Sequence, residues 1–197
     1  MTRLVVLASG NGTNLQVILD ACADGHLPAG VAAVVSNKAG SGALQRAALA
    51  GVPFVHVAPH ADEPRSDYDA RLADIVSGFD PDWVVLAGWM RILSMNFLGW
   101  FPGMVVNLHP ALPGELPGVD AIARAWHEAQ AGRRDHTGVM IHLVPDEGVD
   151  VGPVLATATV PIHPADSLES LTHRVHGVEH RLLVDTLATL CTTGATA

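Results

Sequence analysis

Short apolar runs rich in valine and leucine alternate along the chain with segments of helical periodicity. The runs with the length and composition of strands cover residues 4–8, 31–36, 53–57, 83–87, 104–108, 138–144 and 154–160. The segments whose apolar residues share one helical face cover residues 14–23, 43–50, 68–76, 121–131 and 168–190. Alternation of helices with continuously apolar strands is typical of a parallel sheet covered on both faces. We therefore expect an α/β fold: a doubly wound, mostly parallel sheet of about seven strands with helices on both faces.

Charge narrows the function classes. The 197-residue chain carries 11 Lys and Arg against 20 Asp and Glu, a formal net charge of −9. Proteins that bind nucleic acid or anionic membranes need clustered positive charge to neutralise phosphates. Because no Lys/Arg-rich run exists here, we expect neither nucleic acid nor a membrane as partner. An anionic small molecule stays possible, since backbone N–H groups at a helix N-terminus hold anions without net positive charge.

The cysteines and the N-terminus indicate the compartment. Cys22 and Cys191 lie far apart in the sequence, which favours two reduced thiols over a disulfide or a metal site. The apolar run at residues 4–8 is too short to span a membrane, and no signal-cleavage site follows it. We expect a cytoplasmic protein.

The turn after the first predicted strand, residues 9–14, is rich in glycine and opens the first predicted helix. Gly12 lets the backbone approach an anion closely, and Thr13 and Asn14 add side-chain donors, which suits a phosphate monoester. A Walker loop would need a lysine, and the dinucleotide fingerprint would need glycine where Leu15 stands. A plain turn in which Thr13 or Asn14 caps the helix is an equally good interpretation.

An amide and an imidazole lie at the end of a central predicted strand. Asn107 and His109 are two residues apart, so their side chains point the same way. A carboxylate near the imidazole, such as Asp150 in the loop before the last strand, would favour its protonated form. An imidazolium beside an amide donor suits a negative oxygen and hence acyl transfer. A strand-end Asn closing a turn and a carbonyl-bonded His remain the alternative. His142 is either buried or part of the site.

No activated nucleophile accompanies these residues. The chain lacks a Gly-x-Ser-x-Gly elbow, and neither cysteine lies in a basic loop. Direct attack by a substrate amine is therefore favoured over a covalent intermediate. His173, His176 and His180 share helical spacing, but the His-Glu-x-x-His pattern of zinc proteases is absent, so we expect no metal.

Short motifs spread over nearly the whole chain have a specific order and spacing. They are Ser-Gly-Asn-Gly-Thr-Asn-Leu-Gln at 9–16, Val-Ser-Asn-Lys at 35–38, Arg65 before Tyr68-Asp69, Leu-Ala-Gly-Trp-Met-Arg-Ile-Leu at 86–93, Asn-Leu-His-Pro at 107–110, His-Thr-Gly at 136–138 and Asp-x-Gly-Pro at 150–153. Together they resemble the glycinamide ribonucleotide formyltransferase family of purine biosynthesis. Two departures are Ala-Leu-Pro-Gly at 111–114, where many members have Ser-Leu-Leu-Pro, and Trp89, where Phe is commoner.

The resemblance implies transfer of the formyl group of 10-formyltetrahydrofolate, a co-substrate, to the amine of 5'-phosphoribosylglycinamide, without a tightly bound cofactor. It implies that Asn107 and His109 stabilise the formyl oxygen and that Asp150 raises the pKa of His109 and assists proton transfer, with His142 as a possible supporting residue. The implied ribonucleotide site consists of Gly12, Thr13, Asn14 and Glu179. The implied folate site consists of Arg65, Met90, Arg91, Ile92, Leu93, Asn107, Pro145, Asp146 and Glu147.

The resemblance also implies the organisation of the chain. We expect a single formyltransferase domain over residues 1–197, with a phosphate-binding half at about 1–100 and a folate-binding and catalytic half at about 101–197. The expected partners are the two small-molecule substrates, and the expected state is a monomer or a homodimer.

Related enzymes and a non-catalytic protein are the alternatives. Methionyl-tRNA formyltransferases add a C-terminal domain and need a tRNA-binding surface, for which this chain is too short and too acidic. Formyltetrahydrofolate hydrolases carry an N-terminal regulatory domain, for which the strand at residue 4 leaves no room. Sugar-nucleotide formyltransferases need a diphosphate site, whereas residues 12–14 suit one phosphate. A module that only senses a phosphorylated metabolite would not need Asn107, His109 and Asp150 together.

Overall fold

A seven-stranded sheet forms the middle of the molecule in the computed structural model, which describes residues 1–193. The strands are β1 (Thr2–Leu7), β2 (Ala29–Ser36), β3 (Phe54–His56), β4 (Trp83–Leu86), β5 (Val105–His109), β6 (His136–Leu143) and β7 (Val154–Pro161). Their order across the sheet is β3-β2-β1-β4-β5-β6-β7. The first five strands pair in parallel, whereas β6 is antiparallel to both β5 and β7. The expected α/β fold with a mostly parallel sheet is confirmed.

Helices cover both faces of this sheet. They are α1 (Thr13–Ala23), α2 (Gly42–Leu49), α3 (Arg65–Ser77), α4 (Met95–Leu98), α5 (Ala121–Gln130) and α6 (Leu168–Thr193). Two hydrophobic clusters follow from this arrangement. One contains apolar residues of α1, α2, α5 and α6, and the other contains those of α3 and α4.

Strand β1 shows how the sequence builds both cores at once. Leu4 and Val6 belong to the cluster of α1, α2, α5 and α6, while Val5 and Leu7 belong to the cluster of α3 and α4. All four are fully buried. A strand covered on both faces needs apolar residues at successive positions, because neighbouring side chains point to opposite faces.

The order in which the chain adds strands to the sheet reverses at β1, because β2 pairs with one side of β1 and β4 with the other. Ligands of open α/β sheets bind at such a switch point, beyond the carboxyl ends of the strands. The loops after β1 and β4 meet there. The Ser9 N–H donates to the Gly88 carbonyl at 3.0 Å, and the Met90 N–H donates to the Ser9 hydroxyl at 3.0 Å.

Two local features differ from the sequence-based expectation. Helix α3 begins at Arg65 rather than at residue 68, because its first turn is polar and exposed and adds nothing to the apolar periodicity. Helix α4 was not expected; its four residues, with Phe97 and Leu98 buried, are too few to show a helical period. Strands β6 and β7 are joined by a loop, residues 144–153, as expected from the sequence. No helix within residues 1–193 is long and apolar enough to cross a membrane.

Two glycines give a matched test of this fold. An added Cβ at Gly152 would lie 1.8 Å from the Leu143 carbonyl oxygen, whereas at Gly177, inside α6, it meets no described atom within 4 Å. We expect Gly152→Ala to lower the melting temperature by at least about 5 °C, since each kcal/mol shifts it by roughly 2–4 °C in a protein of this size. Gly177→Ala should raise it slightly, because alanine favours a helix by up to about 1 kcal/mol. Scanning calorimetry of both variants checks this; equal melting temperatures would contradict it.

Candidate active site

A cavity of about 820 Å³ opens at the carboxyl ends of β4 and β5. One wall is the loop after β4, residues 88–93, and the opposite wall is the loop between β6 and β7. Residues 110 and 118–121, in the segment after β5, also line the cavity. The polar side chains on its lining are Arg91, Asn107, His109, Asp120, His142, Asp146 and Asp150. The cavity therefore brings together both halves of the chain.

The three residues singled out in the sequence converge on this cavity. Asn107 Nδ2 donates to Asp150 Oδ1 at 3.2 Å. His109 Nδ1 lies 3.3 Å from Asp150 Oδ2. Strand β5 sets the spacing of the amide and the imidazole. The loop before β7 supplies the carboxylate, with Asp150 held in the left-handed backbone region at φ 57°.

His142 is a fourth member of this cluster. It lies on β6 directly opposite Asn107 and is 1% exposed. Its Nδ1 contacts the Leu143 carbonyl at 2.9 Å, and a carbonyl can only accept, so Nδ1 carries the proton. Its Nε2 lies 3.1 Å from Asn107 Nδ2 and 3.6 Å from Asp150 Oδ1. The antiparallel pairing of β5 with β6 thus fixes the orientation of the Asn107 amide.

The pKa values of the ion pair reflect competing effects. Burial lowers the pKa of His109, and the nearby Asp150 carboxylate and Leu116 carbonyl, which act in the opposite direction, do not reverse this. Burial acts to raise the pKa of Asp150, but contacts with His142 and the Gly118 N–H outweigh it, so this pKa is lowered. Asp150 thus acts on His109 in the expected direction. The pKa of His109 is nevertheless lowered, whereas we expected it to be raised. The reason is that His109 is only 4% exposed and its charged form loses the hydration that it needs.

A short segment after β5 holds both members of the pair. The Leu116 carbonyl lies 3.1 Å from His109 Nε2, and the Gly118 N–H donates to Asp150 Oδ2 at 2.8 Å. Both nitrogens of His109 therefore face acceptors, and only an imidazolium can donate to both. Arg124 of α5 donates to the carbonyls of Leu116 and Pro117 at 2.7 and 2.6 Å. These bonds keep Leu116 in the left-handed backbone region at φ 45°, which is unusual for a branched side chain.

The turn at residues 9–14 begins helix α1. Gly12 has φ 75°, and a Cβ there would lie 2.7 Å from the Ala43 Cα of α2, so only glycine fits. Gly12 occupies the N-cap position, and no side chain caps the helix there. Thr13 is exposed. The buried Oδ1 of Asn14 accepts no hydrogen bond from residues 1–193. Residues 12–14 do not line the cavity; the bond between Ser9 and Met90 connects the two regions.

The loop at residues 90–93 exposes two apolar side chains beside the cavity. Met90 is 62% and Ile92 48% exposed, whereas Leu93 is buried in the core of α3 and α4. The Arg91 guanidinium lies over the Tyr68 ring, 4.6 Å from its centroid. The apolar side chains left open here are therefore available to a flat ligand.

At the rim of the cavity, a salt bridge joins the loop between β6 and β7 to helix α3. Glu147, in the loop between β6 and β7, forms a salt bridge with Arg65 at the start of α3. Its other oxygen accepts from the Met95 N–H of α4 at 3.3 Å. Asp146 lines the cavity, while Arg65, Pro145 and Glu147 lie outside the lining.

Glu179 occupies a core position of α6. It lies in the buried row Leu171, Val175, Glu179, Leu183 and Leu187, whose apolar members pack in the same cluster as Leu15 of α1. Burial raises the pKa of Glu179 to about 7. The Glu179 carboxylate lies 3.8 Å from His176 Nε2, too far for a strong hydrogen bond. A carboxylate kept in an apolar row is costly, which indicates a role other than stability.

Sequence reasoning missed part of this site. It could not find Leu116, Gly118 and Arg124, since two of them act through backbone atoms and the third through a contact with the backbone. Glu179 was not missed, since the resemblance implies it; the sequence also carries a second signal for it, because a charged residue interrupts an apolar four-residue repeat. No group of three or more His, Cys, Asp or Glu suited to a metal ion occurs within residues 1–193.

Comparison with known proteins gives consistent matches. A family model described as formyl transferase matches residues 2–187. The phosphoribosylglycinamide formyltransferase of Dictyostelium discoideum is 41% identical over 204 residues, which cover 96% of this chain and 98% of the relative. The enzyme of the same name from Escherichia coli K12 is 41% identical over 180 residues, which cover 91% of this chain and 82% of the relative.

Solved structures agree with the sequence matches. A phosphoribosylglycinamide formyltransferase from Bacillus halodurans superposes with a TM-score of 0.90 at 36% identity, covering 96% of this chain and 95% of that one. A glycinamide ribonucleotide transformylase 1 from Geobacillus kaustophilus gives a TM-score of 0.90 at 41% identity, covering 96% and 98%.

The buried carboxylate of Glu179 predicts a pH-dependent stability. Because its pKa rises from 4.5 to about 7 on folding, the folded state holds the proton more tightly. The stability is therefore lost as pH rises from about 4.5 through 7, by an amount on the order of 3 kcal/mol. Glu179→Gln should then stabilise the protein at pH 8 by about 2 kcal/mol or more, and much less at pH 5.

Urea unfolding at both pH values measures this difference. Glu169→Gln, in the exposed first turn of α6, is the matched control and should change neither value. An effect of Glu179→Gln that is equal at pH 5 and pH 8 would show that the carboxyl titrates normally.

Proposed function

The chain belongs to the formyl transferase family, and we propose that it transfers the formyl group of 10-formyltetrahydrofolate to the amine of 5'-phosphoribosylglycinamide, a step of purine biosynthesis. Two relatives named phosphoribosylglycinamide formyltransferase match it over 98% of their own length. The carrier is a co-substrate that leaves as tetrahydrofolate, and the protein acts in the cytoplasm as a monomer or a homodimer.

The convergence of Asn107, His109 and Asp150 on one cavity carries this proposal. The formyl oxygen becomes negative when the amine attacks, and donors in a site with little water stabilise it strongly. His109 Nε2 supplies such a donor. The Leu116 carbonyl oxygen already accepts from Nε2 at 3.1 Å. This contact supports the assignment, because the formyl oxygen is a carbonyl oxygen as well. In the reaction the formyl oxygen takes the place of the Leu116 carbonyl, which requires that carbonyl to move away from Nε2 while the Gly118 N–H stays on Asp150.

The chemical step needs no covalent enzyme intermediate. The amine nitrogen of the ribonucleotide bonds to the formyl carbon, and the tetrahedral centre then breaks its bond to N10 of the folate. One proton leaves the amine and one reaches N10. Asp150, whose pKa is lowered, is ionised at neutral pH and is the acceptor that relays this proton through water. As the negative oxygen develops, it favours the protonated form of His109 against the effect of burial.

The ribonucleotide is assigned to the first loop and helix α6. Gly12, Thr13 and Asn14 hold the phosphate at the N-terminus of α1, where backbone N–H groups and the helix dipole favour an anion. Glu179, whose apolar neighbours in α6 belong to the same core cluster as Leu15 of α1, contacts the ribonucleotide. A hydroxyl donor to its carboxylate would supply the hydrogen bond that the apolar surroundings lack.

The folate is assigned to the cavity. Its pterin ring packs on Met90, Ile92 and Leu93, and the backbone of this loop reads its polar edge. Asp146 closes over the ring as part of the loop that also contains Pro145 and Glu147, with the Glu147 side chain at the rim. Arg91 lines the cavity, and its guanidinium stays over the Tyr68 ring.

Release of tetrahydrofolate from 10-formyltetrahydrofolate, followed by absorbance, tests the function. Turnover should require phosphoribosylglycinamide. Release without any amine acceptor would favour a hydrolase, release with sugar-nucleotide amines alone would favour that transferase class, and no release with any acceptor would favour a binding module.

Replacement of the ion pair tests the catalytic assignment. His109→Asn or Asp150→Asn should lower kcat by about a hundredfold or more, because the first removes a donor to the developing oxyanion and the second removes the proton acceptor. His163→Asn, an exposed histidine after β7, is the control and should leave kcat unchanged. A His109 or Asp150 variant within threefold of wild type would refute the assigned role.

Replacement of Thr13 tests the phosphate site. Thr13→Val removes the hydroxyl and should raise KM for the ribonucleotide about tenfold, the loss of one hydrogen bond to a charged group, with little change in kcat. Thr159→Val, on the exposed face of β7, is the control. An effect confined to the KM for the folate would place the phosphate elsewhere.

A further inference from the structure

The salt bridge at the rim of the cavity connects two walls that otherwise belong to separate elements. Glu147 lies between Asp146 and Gly148, which both line the cavity, and it reaches Arg65 on α3. Its second carboxylate oxygen holds the Met95 N–H, two residues beyond Leu93 of the opposite wall. Any ligand that extends from the cavity over this rim passes the guanidinium of Arg65.

This ion pair is exposed and therefore exchangeable. The Arg65 and Glu147 side chains are 44% and 42% exposed. Pairs in such surroundings contribute at most about 1 kcal/mol. A guanidinium matches a carboxylate with two parallel hydrogen bonds, so a carboxylate of a ligand can replace that of Glu147 at little cost.

The other cations near the rim are already engaged. Arg71 is paired with Glu63, and Arg91 lies over the Tyr68 ring. The acidic side chains Asp67 and Asp146 are exposed on the two sides of the rim. Arg65 is thus the cation best placed to receive a ligand carboxylate.

We propose that Glu147 is a specificity-determining residue that competes with the carboxylates of the folate's glutamate tail for Arg65. This inference rests on the proposed function, in which the pterin ring occupies the cavity and the glutamate end of the folate lies at the rim. Glu147 holds the loop to α3 while the site is empty. When a folate binds, its tail takes over Arg65, and Glu147 keeps its hydrogen bond to the Met95 N–H. The negative charge of Glu147 weakens tail binding and leaves binding of the ring unchanged.

Two ligands separate tail binding from ring binding. Tetrahydrofolate carries the glutamate, and tetrahydropteroyl amide has the same ring system with a neutral amide in its place. Titration calorimetry with the whole protein gives the dissociation constant of each. Their ratio, amide over tetrahydrofolate, measures the contribution of the tail. In Glu147→Gln this ratio should rise by about two- to fivefold, the range of an exposed ion pair. The dissociation constant of the amide should stay within twofold.

Further variants make the result specific. Asp67→Asn removes one exposed carboxylate of the same helix turn without a contact to Arg65, and it should leave the ratio unchanged. Arg65→Gln should abolish most of the tail's contribution. In the Arg65→Gln background, Glu147→Gln should have no further effect on the ratio.

An unchanged ratio in Glu147→Gln, or an equal loss of affinity for both ligands, would overturn the proposal and leave Glu147 as a residue that only positions the loop. These outcomes differ from failure of the proposed function. If wild-type protein bound neither ligand, the folate assignment itself would be wrong, and this inference with it.

Discussion

The carboxylate of Asp150 lies at the point where three parts of the fold meet. It accepts from the Asn107 amide of β5 and from the Gly118 N–H of the following loop, and it faces the imidazoles of His109 and His142. A half-buried charge of this kind is tolerable only when several polar groups surround it. The site therefore depends on keeping these groups around one carboxylate. The sheet does so by pairing β5 with β6 and by returning the chain to β7.

The same constraint explains the unusual backbone nearby. Asp150 and Leu116 both adopt left-handed conformations, which cost free energy for residues other than glycine. Arg124 stabilises one of these bends by bonding two successive carbonyls, and the carboxylate's own contacts stabilise the other. Strain of this kind is found where function requires a fixed geometry. Here the arrangement holds an acid and an imidazole at 3.3 Å inside a cavity that a ligand can enter.

Much of the fold could be read from the sequence because it follows from periodicity. The apolar runs gave each strand to within a few residues, and the position of Asn107 and His109 two residues apart placed both at one strand end. Helix α4 was missed because one turn shows no period. The net pKa of His109 could not be derived, since it depends on how deeply the ring is buried. The contribution of Leu116 and Gly118 to the site could not be predicted from the sequence, because their backbone atoms and not their side chains make the contacts. The salt bridge between Arg65 and Glu147 joins residues 82 positions apart and depends on the loop conformation.

A double-mutant cycle tests most directly whether Asp150 organises His109 as one catalytic unit. Residues that act together lose most of their contribution when either is replaced, so the second replacement costs little more. For formyl transfer to phosphoribosylglycinamide, kcat of the variant with both His109→Asn and Asp150→Asn should lie within about threefold of the slower single variant. A kcat reduced by the product of the two single effects would show that the two side chains act independently, and would contradict the account.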